Sequence, residues 1–192
     1  RSRGLGDVYK RQFLHYQDLG PQFLSYQKFL KDTISKKQQS PSLKNFEKVN
    51  DINKMGTVDK VLTAGDLVLL QITKEPISTK GPRISTQISL TGRFLVLIPF
   101  DNKISVSKKV ANPEEKTRLK TLIESIRPEG FGVIIRTVAE GKKVAELHND
   151  MNQLIKKWET TFKNIQKNKV PSKILSEEDK ASSILRDNFN QD

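Results

Sequence analysis

Pro128-Glu129-Gly130-Phe131-Gly132-Val133-Ile134-Ile135-Arg136-Thr137-Val138-Ala139-Glu140-Gly141 is the stretch on which the fold turns. Pro128 stops the segment before it, because a proline ring cannot continue a helical hydrogen-bond ladder. Gly130-Phe131-Gly132 then leads into Val133-Ile134-Ile135, an apolar run that predicts a buried strand ending on Arg136-Thr137. Upstream, Asn112-Pro113-Glu114-Glu115 predicts a helix start. Asn112 suits the N-cap, Pro113 the first helical position, and the glutamates the positive end of the dipole. Leu119, Leu122, Ile123 and Ile126 form that helix's buried stripe. Downstream of Gly141, Leu147, Met151, Leu154, Trp158, Phe162 and Ile165 recur at steps of 4, 3, 4, 4 and 3. This predicts the longest helix, with Trp158 and Phe162 in the core.

Working outward, Arg93 to Pro99 and Ile104 to Lys108 predict further strands. Leu67 to Lys74 is a dense apolar run, and Arg83 to Leu90 alternates, with Ile84, Thr86, Ile88 and Leu90 on one face. The loop from Glu75 to Pro82 joins them into a long β-hairpin of a small antiparallel barrel or sheet. Phe23, Tyr26, Leu30 and Ile34 place an amphipathic helix over 22–35. Residues 36–57, rich in Lys, Gln, Ser and Asn, predict a polar insertion or mobile loop. Phe13 to Tyr16 predicts a strand end, and Ser176-Glu177-Glu178-Asp179 caps a last short helix. Residues 1–12 show no sustained period and are expected to be a non-native leader.

The chain carries 34 basic against 22 acidic residues, a net charge of +12, and no cysteine. Disulfides, thiolate nucleophiles and cysteine metal sites are therefore excluded, and a reducing compartment such as the cytoplasm is expected. No stretch reaches the roughly 18 to 20 apolar residues of a membrane span. The positive surplus favours polyanionic partners through counterion release, although charge alone is equally compatible with a merely soluble basic protein. His15 and His148 lack the spacing of a metal pair, and the acids at Glu114-Glu115 and Glu177-Glu178-Asp179 are explained by helix starts.

The blocks Phe13 to Tyr16, Asp18 to Pro21, Lys74 to Arg83, Ile88 to Pro99 and Pro128 to Gly141 stand in an order and spacing that resemble the N-terminal half of ribonuclease E/G family proteins. The style is that of ribonuclease G-like members of Bacteroidetes type. The resemblance implies an α+β fold in which an S1 β-barrel of the OB-fold type, residues 13–88, precedes an α/β 5′-sensor domain over 89–175. The barrel would be incomplete and would carry the polar insertion at about 36–57, and residues 176–192 would begin a ribonuclease H-like part. The implied partner is single-stranded RNA, gripped by a basic groove and stacking aromatics. A homo-oligomer is implied only for the full-length protein.

Within this resemblance, Arg136 and Thr137 hold a 5′-monophosphate, with backbone around Gly92 and Val96 completing the pocket. A guanidinium fork and a hydroxyl match a terminal phosphate in geometry and charge; by spacing alone the pair would be an ordinary strand end. Lys108 and Lys109 stand where relatives carry an arginine-rich pair, keeping the charge but losing the fork. Phe13 would stack on bases or pack in the core, and Lys74 and Lys80 would meet phosphates. Ser78 and Thr91 depart from the glycine and proline usual at those positions.

The family cleaves RNA with a magnesium ion held by two aspartates, and a zinc link joins subunits; both are expected beyond this chain, which needs no cofactor of its own. The segment is therefore expected to bind RNA without cutting it. Two other readings stay open at this point: a stand-alone S1-type RNA-binding or regulatory protein, and an unrelated hydrolase.

Overall fold

The computed structural model describes residues 14–77 and 81–176. The chain divides into two units, one of residues 1–32 and 47–88, the other of residues 33–46 and 89–192.

In the second unit the helix-start signal operates as expected. Asn112 Oδ1 accepts from the N–H groups of Glu114 at 2.8 Å and Glu115 at 3.4 Å, opening a helix over Pro113–Ile126. We number helices and strands in chain order, so this is α2, after α1 at Phe23–Ile34. The strands of this unit are β3 (Leu90–Thr91), β4 (Leu95–Pro99), β5 (Ile104–Val106) and β6 (Phe131–Ile135), and its long helix α3 is Val144–Lys167. They form one sheet in the order β3-β4-β6-β5. β4 is antiparallel to β3 and β6, whereas β5 and β6 run parallel. A parallel pair needs a crossover, and α2 supplies it.

The apolar patterning selects which face is covered. Leu95, Leu97 and Pro99 of β4 are buried, while Val96 and Ile98 between them are only half-buried. α3 packs against β3 and β4, and α2 against β5. All six residues of the α3 stripe are buried. On β6 the expected continuous burial is interrupted, because Ile134 is 40% exposed. It pairs with the half-buried Val96, so helices cover one face only and the other carries apolar side chains in contact with solvent. β6 also begins earlier than the Val133 start expected from the sequence, because Phe131 and Gly132 pair with Pro99 and Ile98.

Residues 36–57 contain no helix or strand, yet the part belonging to this unit is fastened down. Trp158, 1% exposed, donates from Nε1 to the Pro41 carbonyl at 2.8 Å. The Phe46 and Phe100 rings lie 5.1 Å apart, and Phe100 and Phe131 meet the Trp158 ring edge-on at 6.1 and 5.9 Å. Gly130 has φ +83°, and a Cβ there would stand 2.5 Å from Leu43 Cβ, so both backbone and packing demand glycine.

In the first unit, α1 buries Phe23, Tyr26, Phe29 and Leu30, close to the span expected from spacing. Phe29 belongs to the buried stripe although the periodicity passed over it. The β-hairpin is present: β1 (Gln71–Lys74) and β2 (Arg83–Ser85) are antiparallel, with Ile72 opposite Ile84 and an irregularity before Lys74. The closed S1 barrel is not formed among the described residues. A barrel needs strands bonded around to closure, and these two short strands make a two-stranded sheet alone. The dense apolar run is accordingly poorly covered, with Leu70 and Ile72 exposed by 45% and 62%, and Ile77 in the loop after it by 72%. Of the alternating face, Thr86, Ile88 and Leu90 are buried, but only as far as Ser85 does the chain hold strand pairing in the hairpin. Tyr16–Asp18 is a 3-10 turn instead of a strand end; the carbonyls of its last residue, Asp18, and of Leu19 after it accept hydrogen bonds from Ser85 and Thr86. Phe13, Lys80 and the last short helix lie outside the described residues.

Two expectations follow. Trp158→Ala empties a site bounded by two aromatic rings and leaves the Pro41 carbonyl without its donor, and should cost about 3–5 kcal/mol in urea unfolding. Glu115 accepts from Arg118 Nε and Nη2 at 2.6 Å each and from the Gly141 N–H at 2.9 Å. These bonds, Arg118 first, hold its carboxyl down from 4.5 to about 2. Its contribution to stability is full above pH 4.5 and drains away as pH falls toward 2. Melting temperatures of the wild type and Glu115→Gln should therefore differ most at neutral pH and converge through that acid window.

Candidate nucleic-acid interface

The sheet order brings the expected phosphate-reading residues to one end. β5 and β6 are parallel, so the chain leaves both at the same end, with Val106 beside Ile135. β4 is antiparallel to β6 and pairs its first residue, Leu95, with Ile135. The β3–β4 turn, the exit of β6 and the exit of β5 therefore converge. They carry, respectively, Gly92, Arg136-Thr137 and Lys108-Lys109.

Direct bonds tie these pieces together. Arg136 is half-buried; its Nη1 donates to the carbonyls of Gly92 at 2.9 Å and Arg93 at 3.0 Å. Its backbone N–H donates to the Phe94 carbonyl at 2.8 Å. Thr137 Oγ1 lies 3.1 Å from Ser107 Oγ. Ser107 Oγ also accepts from the Lys109 N–H at 3.3 Å, and the Ser107 N–H donates to the Ile135 carbonyl at 2.9 Å. Ser107 thus fixes the exposed Lys108-Lys109 segment beside Thr137, a role no motif in the sequence announced. Val96 sits one residue into β4, half-buried between Thr91 and Ile134.

From the covered side, the turn is held by Asp150 of α3. This carboxylate is only 5% exposed. Oδ1 accepts from the Arg93 N–H at 3.0 Å, and Oδ2 from those of Phe94 and Leu95 at 2.8 and 2.9 Å. A buried carboxylate is tolerable only when so bonded. Gly92 is buried directly over it, where a Cβ would lie 2.5 Å from Oδ1. Asp150 was also missed from sequence; a lone acid within the apolar heptad-like stripe of α3 was the available signal.

The surroundings are cationic. The Arg93 guanidinium and Lys142 ammonium lie 5.1 and 5.6 Å from the centre of the Phe94 ring. Glu146 is held below the usual carboxylate range by the Lys143 backbone N–H foremost, then by Lys142 and the charge of Arg93. Arg136 and Thr137 thus offer a guanidinium and a hydroxyl at a sheet end flanked by lysines, which is chemistry suited to an anionic oxygen cluster. Lys74, on β1 of the other unit, is exposed, while Phe13 and Lys80 fall outside the described residues. Among the described residues, no three His, Cys, Asp or Glu side chains are grouped to hold a metal ion, and no helix is long and apolar enough to cross a membrane.

Comparison with known proteins gives this geometry a relation. The model of the ribonuclease E/G family matches residues 89–192, which include every residue of the sheet-end cluster. Ribonuclease E of Nostoc sp. is 30% identical over 188 residues, covering 98% of this chain and 23% of the relative. Ribonuclease G of Haemophilus influenzae is 36% identical over 134 residues, 70% of this chain and 27% of the relative. A chloroplastic ribonuclease E/G-like protein of Arabidopsis thaliana is 39% identical over 94 residues, 49% of this chain and 9% of the relative. The chain thus spans about a quarter or less of the length of these relatives.

The closeness of Gly92 to Asp150 has a measurable consequence. Gly92→Ala forces the turn or the carboxylate to shift, and should lower the unfolding free energy by roughly 1–3 kcal/mol in urea titration; a change below about 0.5 kcal/mol would show that the turn has slack.

Proposed function

The chain belongs to the ribonuclease E/G family, and on that premise we propose that it is the RNA-binding N-terminal portion of a cytoplasmic, single-strand-specific endoribonuclease of RNA processing and decay. The portion binds single-stranded RNA and senses a 5′-monophosphate end. One observation carries this reading: Gly92, Arg136, Thr137 and the Lys108-Lys109 segment converge at one end of the sheet, joined by the Arg136 and Ser107 hydrogen bonds.

A terminal phosphate differs from an internal one in bearing more charge and a third free oxygen. A planar guanidinium beside a hydroxyl can distinguish the two, because it offers directional donors to more than one oxygen. Arg136 supplies the charge and Thr137 a short donor, while the neighbouring lysines raise the local concentration of polyanion. Lys74, Lys80 and Phe13 serve the second task, holding the rest of the strand by phosphate contact and base stacking. In the full-length family enzyme magnesium supplies the cleavage chemistry and zinc links the subunits of a homo-oligomer. Among the described residues no three His, Cys, Asp or Glu side chains are grouped to hold an ion, and the part proposed for this portion is to bind and orient RNA.

The test is anisotropy titration of this chain with one short single-stranded RNA in 5′-monophosphate and 5′-hydroxyl forms, at two salt concentrations. The monophosphate form should bind roughly tenfold more tightly, the worth of one charge-assisted contact. Arg136→Ala should erase that preference and leave 5′-hydroxyl binding and its salt dependence nearly unchanged. Equal affinities for the two RNAs in the wild type overturn the sensing assignment.

A further inference from the structure

We propose that Asp150 is a positioning residue for 5′-end recognition, setting Arg136 through three rigid peptide groups, two that hold its guanidinium and one that holds its backbone; this rests on the sensing role just given to that site. Asp150 itself is buried beneath the turn and is not among the groups that would touch RNA.

Each peptide group of the turn is bound at both of its ends. The peptide joining Gly92 to Arg93 gives its N–H to Asp150 Oδ1 and receives Arg136 Nη1 at its carbonyl. The next, Arg93 to Phe94, gives its N–H to Asp150 Oδ2 and again receives Arg136 Nη1 at its carbonyl. The third, Phe94 to Leu95, gives its N–H to Asp150 Oδ2 and receives the Arg136 backbone N–H. Three consecutive peptides are therefore held between one carboxylate and one arginine.

A trans peptide is planar, with N–H and C=O on opposite sides. Its two ends cannot turn independently: an N–H released from Asp150 takes its own carbonyl with it, and that carbonyl is what Arg136 grips. The first two groups are also polarised in one sense, with a negative charge at the N–H end and a positive charge at the carbonyl end, so their bonds strengthen one another. The same construction excludes an alternative occupant. The N–H groups of Arg93, Phe94 and Leu95 already serve Asp150, which withdraws these three donors from an anion and places more of the demand for accuracy on Arg136. Gly92 fits the device, since any Cβ there meets the carboxylate.

Asp150→Asn keeps the volume but turns one acceptor oxygen into a donor facing backbone N–H groups. In the same paired titration, the preference for 5′-monophosphate RNA should fall about tenfold, while 5′-hydroxyl affinity and the far-ultraviolet circular dichroism stay as in the wild type. Amide hydrogen exchange should accelerate at Arg93, Phe94 and Leu95. A folded Asp150→Asn that keeps the wild-type preference overturns the proposal. A wild type with no preference overturns the sensing reading itself, and is distinguished because it appears before any substitution. Should Asp150→Asn fail to fold, Gly92→Ala is the second probe: it leaves the charge in place, crowds the carboxylate off the turn, and must lose the preference as well. Retention of the preference in that variant overturns the proposal equally.

Discussion

The Asp150 carboxylate and the three N–H groups that converge on it are the constraint on which the second unit depends. A buried carboxylate without partners would cost several kcal/mol, and a hairpin turn facing a helix would otherwise leave its own N–H groups unsatisfied. Each solves the other's problem. The result fixes α3 against the first residues of β4, and so fixes the end of the sheet where β6 delivers Arg136. The apolar stripe of α3 supplies the bulk of the burial, but it is indifferent to small sliding along the helix axis; the three hydrogen bonds are directional and choose one position.

A similar division of labour recurs on the other side of the site. Ser107 links Thr137 to the chain after β5, and Glu115 with Arg118 clasps the segment that follows it, through the Gly141 N–H and the Lys142 carbonyl. Polar side chains at strand exits and helix starts thus hold Arg136 and Thr137 from three directions. The basic residues around them, Arg93, Lys108, Lys109 and Lys142, are drawn from three separate stretches of chain. The net charge of +12 therefore becomes informative only where the fold gathers it at a sheet end.

Much of the local structure was legible. The start of α2 was read from Asn112-Pro113, and the structure shows the Asn112 bonds themselves. The spacing in α3 named all six of its buried stripe residues. The family was legible too, because ordered blocks of identity do not depend on knowing which atoms touch. What failed did so for a physical reason. The run Leu67 to Lys74 looks like a buried strand, yet apolar content states only that burial would be favourable; it cannot supply the covering surface. Ile134 illustrates the same limit at one residue: β6 is apolar throughout, and only the layer arrangement leaves one face uncovered.

The sequence by itself determined what depends on near neighbours in the chain: the Asn112 cap, the helical stripe, the hairpin and the Arg-Thr pair at a strand exit. Those signals are set by backbone geometry over a few residues, so they survive without knowledge of the fold. The tertiary structure alone decided which distant groups meet, above all that Asp150 lies beneath Gly92, fifty-eight positions earlier. That pairing follows from the crossing of α3 over the β3–β4 hairpin. No periodicity encodes it, because a single acid in an apolar stripe reads as an exception until the N–H groups it serves come into place.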